Sequence, residues 1–151
     1  MKNIDRAKTF TTHQEGIRLK PYKCTEGKNT VGIGHNMDAS PLPAYMAEFL
    51  AKEGQISTLM ASKLFDTDYA VAVVLAMRQW PDFENMSENR QIALVDFIFQ
   101  LGPGTVKKFV HANLAINSGN WGTAAAMMFD SLWAKECPNR AKEVTTLIRE
   151  G

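Results

Sequence analysis

Little in this chain is extreme, and each scarcity narrows what it can be. Its 151 residues include two cysteines and three histidines, and the formal net charge is +1. Two cysteines without a secretory leader do not make a disulfide framework, so Cys24 and Cys137 are expected as two free thiols in a reducing cytoplasm. The near-balanced charge leaves no dominant basic field to release phosphate counterions, which argues against nucleic acid as a main partner. His13, His35 and His111 lack metal-ligand spacing. Gly32 and Gly34 are not followed by the helix start or GKS/T of a phosphate loop. Long apolar runs are missing as well. MKNIDRAKTF has no hydrophobic leader core, and the longest run, Ala70 to Met77, is too short to span a bilayer, so no membrane insertion is expected.

What is present suffices for one good core, or for two small lobes sharing a long element, since 45% of the residues are hydrophobic. Ile4, Ala7 and Phe10 recur at helical spacing and predict a helix over Asn3–Gln14, stopped by Gly16. The pattern then turns extended over Arg18–Lys20 and Tyr22–Thr25. A polar turn, Glu26-Gly27-Lys28-Asn29, leads into Thr30–His35, and the economical reading is two short strands. Period two puts Val31, Ile33 and His35 on one side and Thr30, Gly32 and Gly34 on the other. That leaves a bare glycine face open to something large beside the Thr30 hydroxyl.

Ser40-Pro41-Leu42-Pro43 punctuates a loop before a short helix carrying Met46, Phe49 and Leu50, and Ser57 then caps a longer helix. Leu64 and Phe65 make its first half amphipathic, whereas Ala70–Met77 is apolar all round, as in a helix entering a core. It should end near Trp80-Pro81. Further helices are predicted at Ser87–Leu101, near Thr105–Ile116, at Trp121–Trp133 and from Pro138 onward. The expected class is a mostly helical α+β fold. A hairpin lobe would occupy 1–57, a connecting helix 58–80 and a helical lobe 81–151, within one domain overall.

Glu15 closes the first predicted helix. Helix-end carbonyls and partial burial there are expected to disfavour its charge, which suits a general acid, while a cationic partner would act in the opposite sense. Alone, a Glu with a Cys and a Thr downstream says little, because such residues are usually a surface acid, a small hydrophobe and a strand former. The spacing says more. Glu15, eight residues, Cys24, five residues and Thr30, flanked by EGIRLK, Tyr22-Lys23, Thr25-Glu26-Gly27 and GIGH, resembles the T4-type phage lysozyme family. The likeness continues through Lys63-Leu64-Phe65, Asp68, Phe99-Gln100-Leu101-Gly102, Trp133 and Pro138-Asn139-Arg140-Ala141-Lys142, over nearly the whole chain.

The resemblance implies a lysozyme-like fold and a muramidase acting on bacterial peptidoglycan, with no metal or organic cofactor. The family roles would make Glu15 the proton donor to the glycosidic oxygen, with residue 24 and Thr30 placing or activating water on the opposite sugar face, an inverting arrangement. Cys24 stands where the T4 pattern has Asp. A thiol with an ordinary pKa of about 8.5 is a weaker base unless cations such as Lys20, Lys23 or Lys28 favour the thiolate. Thiolate base, covalent nucleophile and water-positioning group all remain open.

The family also places Asn36, Phe99, Gln100 and Arg140 at substrate-facing positions, with Arg140 able to pair with Glu15. It pairs His35 with Asp68 as a structural contact. Ala112 and Met127 replace polar sugar contacts, so subsites are expected to differ. In this fold Cys137, before Pro138, would face the hairpin, so a disulfide with Cys24 is conceivable in an oxidising medium. The implied setting is a monomeric endolysin held in the host cytoplasm until a holin-type pore releases it to the wall, with no separate wall-binding module. Two rivals persist at this level: lytic transglycosylase-type cleavage, and an inactive lysozyme-like binding module.

Overall fold

The computed structural model describes residues 1–151. In chain order its elements are α1 (Ile4–Glu15), β1 (Arg18–Lys23), β2 (Asn29–Gly32), β3 (His35–Asn36), α2 (Ala44–Glu53), α3 (Thr58–Gln79), a 3-10 turn (Phe83–Asn85), α4 (Glu88–Val106), α5 (Val110–Asn117), α6 (Trp121–Phe129), α7 (Leu132–Glu136) and α8 (Pro138–Glu150). The fold is the mostly helical α+β class expected from the sequence. The chain divides into a hairpin unit, Thr12–Ala70, and a helical unit formed by Met1–Thr11 with Val71–Gly151.

In the hairpin unit the sheet has three antiparallel strands in the order β1-β2-β3, where two were expected. Gly32 and Gly34 are the cause, because both take positive φ, near 69°, and fold the extended segment back on itself. His35 therefore lies opposite Val31 and Asn36 opposite Thr30. The open glycine face is also corrected. A Cβ on Gly32 would stand 3.3 Å from that of Ala61, and one on Gly34 would meet Glu15. Beneath the sheet, Val31, Met46, Ile56, Ala61 and Leu64 form a core joined by Leu19, Leu42 and Leu50. Ser57 caps α3 by accepting the Met60 N–H at 3.2 Å, as its position before the apolar periodicity predicts.

The second half of α3 departs from its expected all-round burial. Ala72 and Ala76 are buried, whereas Val71, Val74 and Met77 are 53%, 46% and 38% exposed. A narrow alanine stripe packs, and Val71, Val74 and Met77 face outward.

In the helical unit, α4 is the central element, buried at every residue from Gln91 to Ile98. Fully burying Ile92, Leu94 and Ile98 stabilises the unit by about 2 kcal/mol each, and α8 packs along α4 and α6. Two predicted helices have different bounds. The segment after Gly102, whose φ of 74° and ψ of 160° break α4, closes as a short turn from Pro103, and α5 begins only at Val110. The stretch Trp121–Trp133 is two helices, because Ser131 accepts the Ala134 N–H at 3.2 Å and starts α7 afresh. No helix is long and apolar enough to cross a membrane.

Candidate active site

Glu15 is the last residue of α1, and its side chain lies along Gly34 in the turn between β2 and β3. A Cβ placed on Gly34 would stand 2.9 Å from Glu15 Oε2 and 3.0 Å from Cδ. Tyr22 lies within electrostatic reach of this group. Its hydroxyl pKa is raised by partial burial, then by the negative charge of Glu15 and by Cys24, with Arg18 acting in the opposite sense. The Arg18 guanidinium sits 4.5 Å from the Tyr22 ring centroid, a cation–π contact.

Tyr22 pairs across the ladder with Thr30, and Thr30 with Asn36. Paired residues share a sheet face, so these three form one cross-strand row. One backbone oxygen then ties the thiol residue to the threonine. The Lys28 carbonyl accepts both the Cys24 N–H, at 3.0 Å, and the Thr30 Oγ1–H, at 3.0 Å. Thr30 is 4% exposed. With its proton committed to Lys28, its oxygen remains an acceptor, suited to a water that donates to it.

The Cys24 carbonyl accepts the Gly27 N–H at 2.8 Å, closing the turn. The Lys28 ammonium bonds Glu26 at 2.6 Å. Its pKa is raised chiefly by that bond and further by Cys24 and Asp38, which places a cation within electrostatic reach of the thiol. Both Cys24 and Cys137 are free thiols.

The remaining residues singled out in the sequence have definite partners. Asn36 Oδ1 accepts the N–H groups of Asp38 and Ala39 at 3.0 and 3.1 Å, so its amide oxygen shapes the loop after β3. His35, 2% exposed, lies 2.7 Å from Asp68 through Nδ1 and 2.9 Å from the Ser40 carbonyl through Nε2. Both partners accept only, so both ring nitrogens donate and the ring is an imidazolium. Burial opposes that charge, but the Asp68 hydrogen bond and charge and the Ser40 carbonyl outweigh it, and the pKa is raised.

Phe99, Gln100 and Arg140 belong to the helical unit. Phe99 is half-buried. Gln100 accepts the Trp133 indole N–H at 2.8 Å and donates to Cys137 Sγ at 3.4 Å. Cys137, at the N-cap of α8, makes no side-chain cap bond. Arg140 donates to Asp96 through Nε and Nη2, each at 2.9 Å, and Thr11 donates to the same carboxylate at 2.8 Å. Asp96 escaped the sequence reading, although an acid inside the apolar run of α4 has no exposed face and must carry a partner. Tyr22 and the Lys28 carbonyl escaped it as well, because neither carries a motif of its own. Nowhere do three His, Cys, Asp or Glu side chains converge as a metal ion would require.

Residues 12–150 match the phage lysozyme family. The chain belongs to that family. This makes it a T4-type lysozyme and a lysozyme-type peptidoglycan glycosidase by class. Two relatives from Dictyostelium discoideum, named "Probable T4-type lysozyme 2" and "Probable T4-type lysozyme 1", are 28% and 29% identical, each over 98% of this chain and 96% of their own. The pre-baseplate central spike protein of Enterobacteria phage T4 is 34% identical over 91% of this chain, which spans 26% of that protein. The phage lysozyme match includes Glu15, Cys24 and Thr30.

Proposed function

We propose that this phage lysozyme homologue hydrolyses the β-1,4 bond between N-acetylmuramic acid and N-acetylglucosamine, with Glu15 as general acid. The observation that carries this is the single cluster on the hairpin unit. Glu15 lies against Gly34 and charges the surroundings of Tyr22, while Tyr22 pairs with Thr30 and the Lys28 carbonyl joins Thr30 to Cys24. Glu15 supplies the proton to the leaving oxygen. Thr30 accepts a hydrogen bond from the attacking water, turning a water lone pair toward the anomeric carbon, and Cys24 is the neighbouring polar group that completes the water site. The proton the water loses as its oxygen bonds that carbon leaves to solvent, from which Glu15 is reprotonated before the next turnover. The family resemblance assigns sugar contacts to Asn36 on the hairpin unit and to Phe99, Gln100 and Arg140 on the helical unit. Attack from the face opposite the leaving group inverts the configuration.

Purified peptidoglycan digested by wild type and by Glu15→Gln tests this. Loss of the acid should lower the rate roughly 10³-fold, and mass spectrometry of the wild-type products should show reducing ends. Products with 1,6-anhydro ends would replace hydrolysis by transglycosylation, and equal rates would remove Glu15 from the chemistry. Family membership further supports an endolysin role, with the protein in the host cytoplasm until a holin-type pore opens. Cells expressing the chain alone should stay intact and lyse on co-expression of a holin. Lysis without it would sink that role.

A further inference from the structure

We propose that Gly34 is a positioning residue for Glu15, its missing side chain being what lets the carboxylate occupy its working place. This rests on the reading of Glu15 as the acid. A glutamate at a helix end has three rotatable bonds and no neighbouring turn beyond it to restrict them, so something outside the helix must fix its direction. Gly34 provides one such surface. A Cβ there would stand 2.9 Å from Oε2, 3.0 Å from Cδ and 3.2 Å from Cγ, so the outer half of the Glu15 side chain lies along the Gly34 backbone. The raised pKa of Tyr22, to which the Glu15 charge contributes, fits a carboxylate turned over the hairpin and not out to solvent.

Backbone conformation alone does not explain the contact. Gly34, Gly32 and Gly54 share a positive φ, near 70°, yet their surroundings differ. A Cβ on Gly32 meets Ala61 and Ile56, which are packed core, and one on Gly54 meets nothing within 4 Å. Of these three glycines, Gly34 is the one whose Cβ would obstruct the far end of a flexible ionisable side chain. The atoms in the way are the end of a side chain and not packed core or backbone, so the loss should fall more on chemistry than on stability.

The test compares Gly34→Ala with Gly54→Ala, which carries the same backbone strain without the contact, using purified peptidoglycan and thermal unfolding. Gly34→Ala should melt close to Gly54→Ala, keep KM within about twofold and lose kcat roughly 10²-fold, the scale of an ångström-sized misplacement. Adding Glu15→Asp to Gly34→Ala should cost far less than adding it to wild type, because the carboxylate is already displaced. Wild-type-like kcat in Gly34→Ala beside an inactive Glu15→Gln would overturn the positioning role alone. Full activity in Glu15→Gln would bring down the acid assignment and this inference with it. Should Gly34→Ala not fold, the double variant with Glu15→Ala decides: recovery of folding supports the contact, and continued unfolding refutes it.

Discussion

Each unit of the molecule holds a buried ion pair, and the two are built around different cations. In the helical unit, Arg140 grips Asp96 with two hydrogen bonds and Thr11 adds a third, with the carboxylate 0% exposed. In the hairpin unit, His35 bridges Asp68 and the Ser40 carbonyl, and the Asp68 side chain is 25% exposed. Guanidinium keeps its proton at any pH a protein survives, whereas imidazolium gives its proton up near neutrality. The first pair is therefore a fixed lock on α1, α4 and α8. The second makes the hairpin unit, which carries Glu15, Cys24 and Thr30, responsive to pH.

The largest break in this contrast should come from Asp96→Ala, which leaves a buried guanidinium without its carboxylate and orphans the Thr11 hydroxyl. Urea unfolding should show a loss of about 3–5 kcal/mol. Asp68→Asn should cost about 2 kcal/mol at pH 5 and progressively less toward pH 9. The sign follows from the raised His35 pKa. The pair's stabilisation is complete below the unfolded histidine value of about 6.5 and is lost as pH rises through the folded value. Unfolding curves of the two proteins that stay equally far apart from pH 5 to 9 would contradict a titrating pair. The smallest effect sets the baseline. Arg6 and Glu88 meet at 2.6 Å with side chains 51% and 36% exposed, and Arg6→Ala should cost about 0.5 kcal/mol or less, shrinking further in 1 M salt.

The same two pairs show how far the sequence could be read. His35 with Asp68 was legible through the family resemblance, and the structure has that contact. Asp96 was not, because its partners Thr11 and Arg140 come from elements far apart in the chain and no local pattern joins them. The hairpin shows the limit at shorter range. Strand periodicity predicted one continuous Thr30–His35 strand, but glycine permits either sign of φ, and Gly32 and Gly34 both take the positive one that turns the chain. The second half of α3 shows a third limit. Composition cannot say which stripe of an apolar helix is covered, and here the alanines are buried while Val71 and Val74 are exposed.

Sequence by itself determined the mostly helical class, most helix starts, the spacing of Glu15, Cys24 and Thr30, and the family they belong to. Those features rest on local periodicity, capping chemistry and fixed residue intervals, all of which are written along the chain. Tertiary structure alone decided that one Lys28 carbonyl joins Cys24 to Thr30, that Gly34 receives the Glu15 side chain, and that Asp96 holds Arg140. Each of those depends on a backbone atom or a distant partner, and neither leaves a mark in the order of side chains.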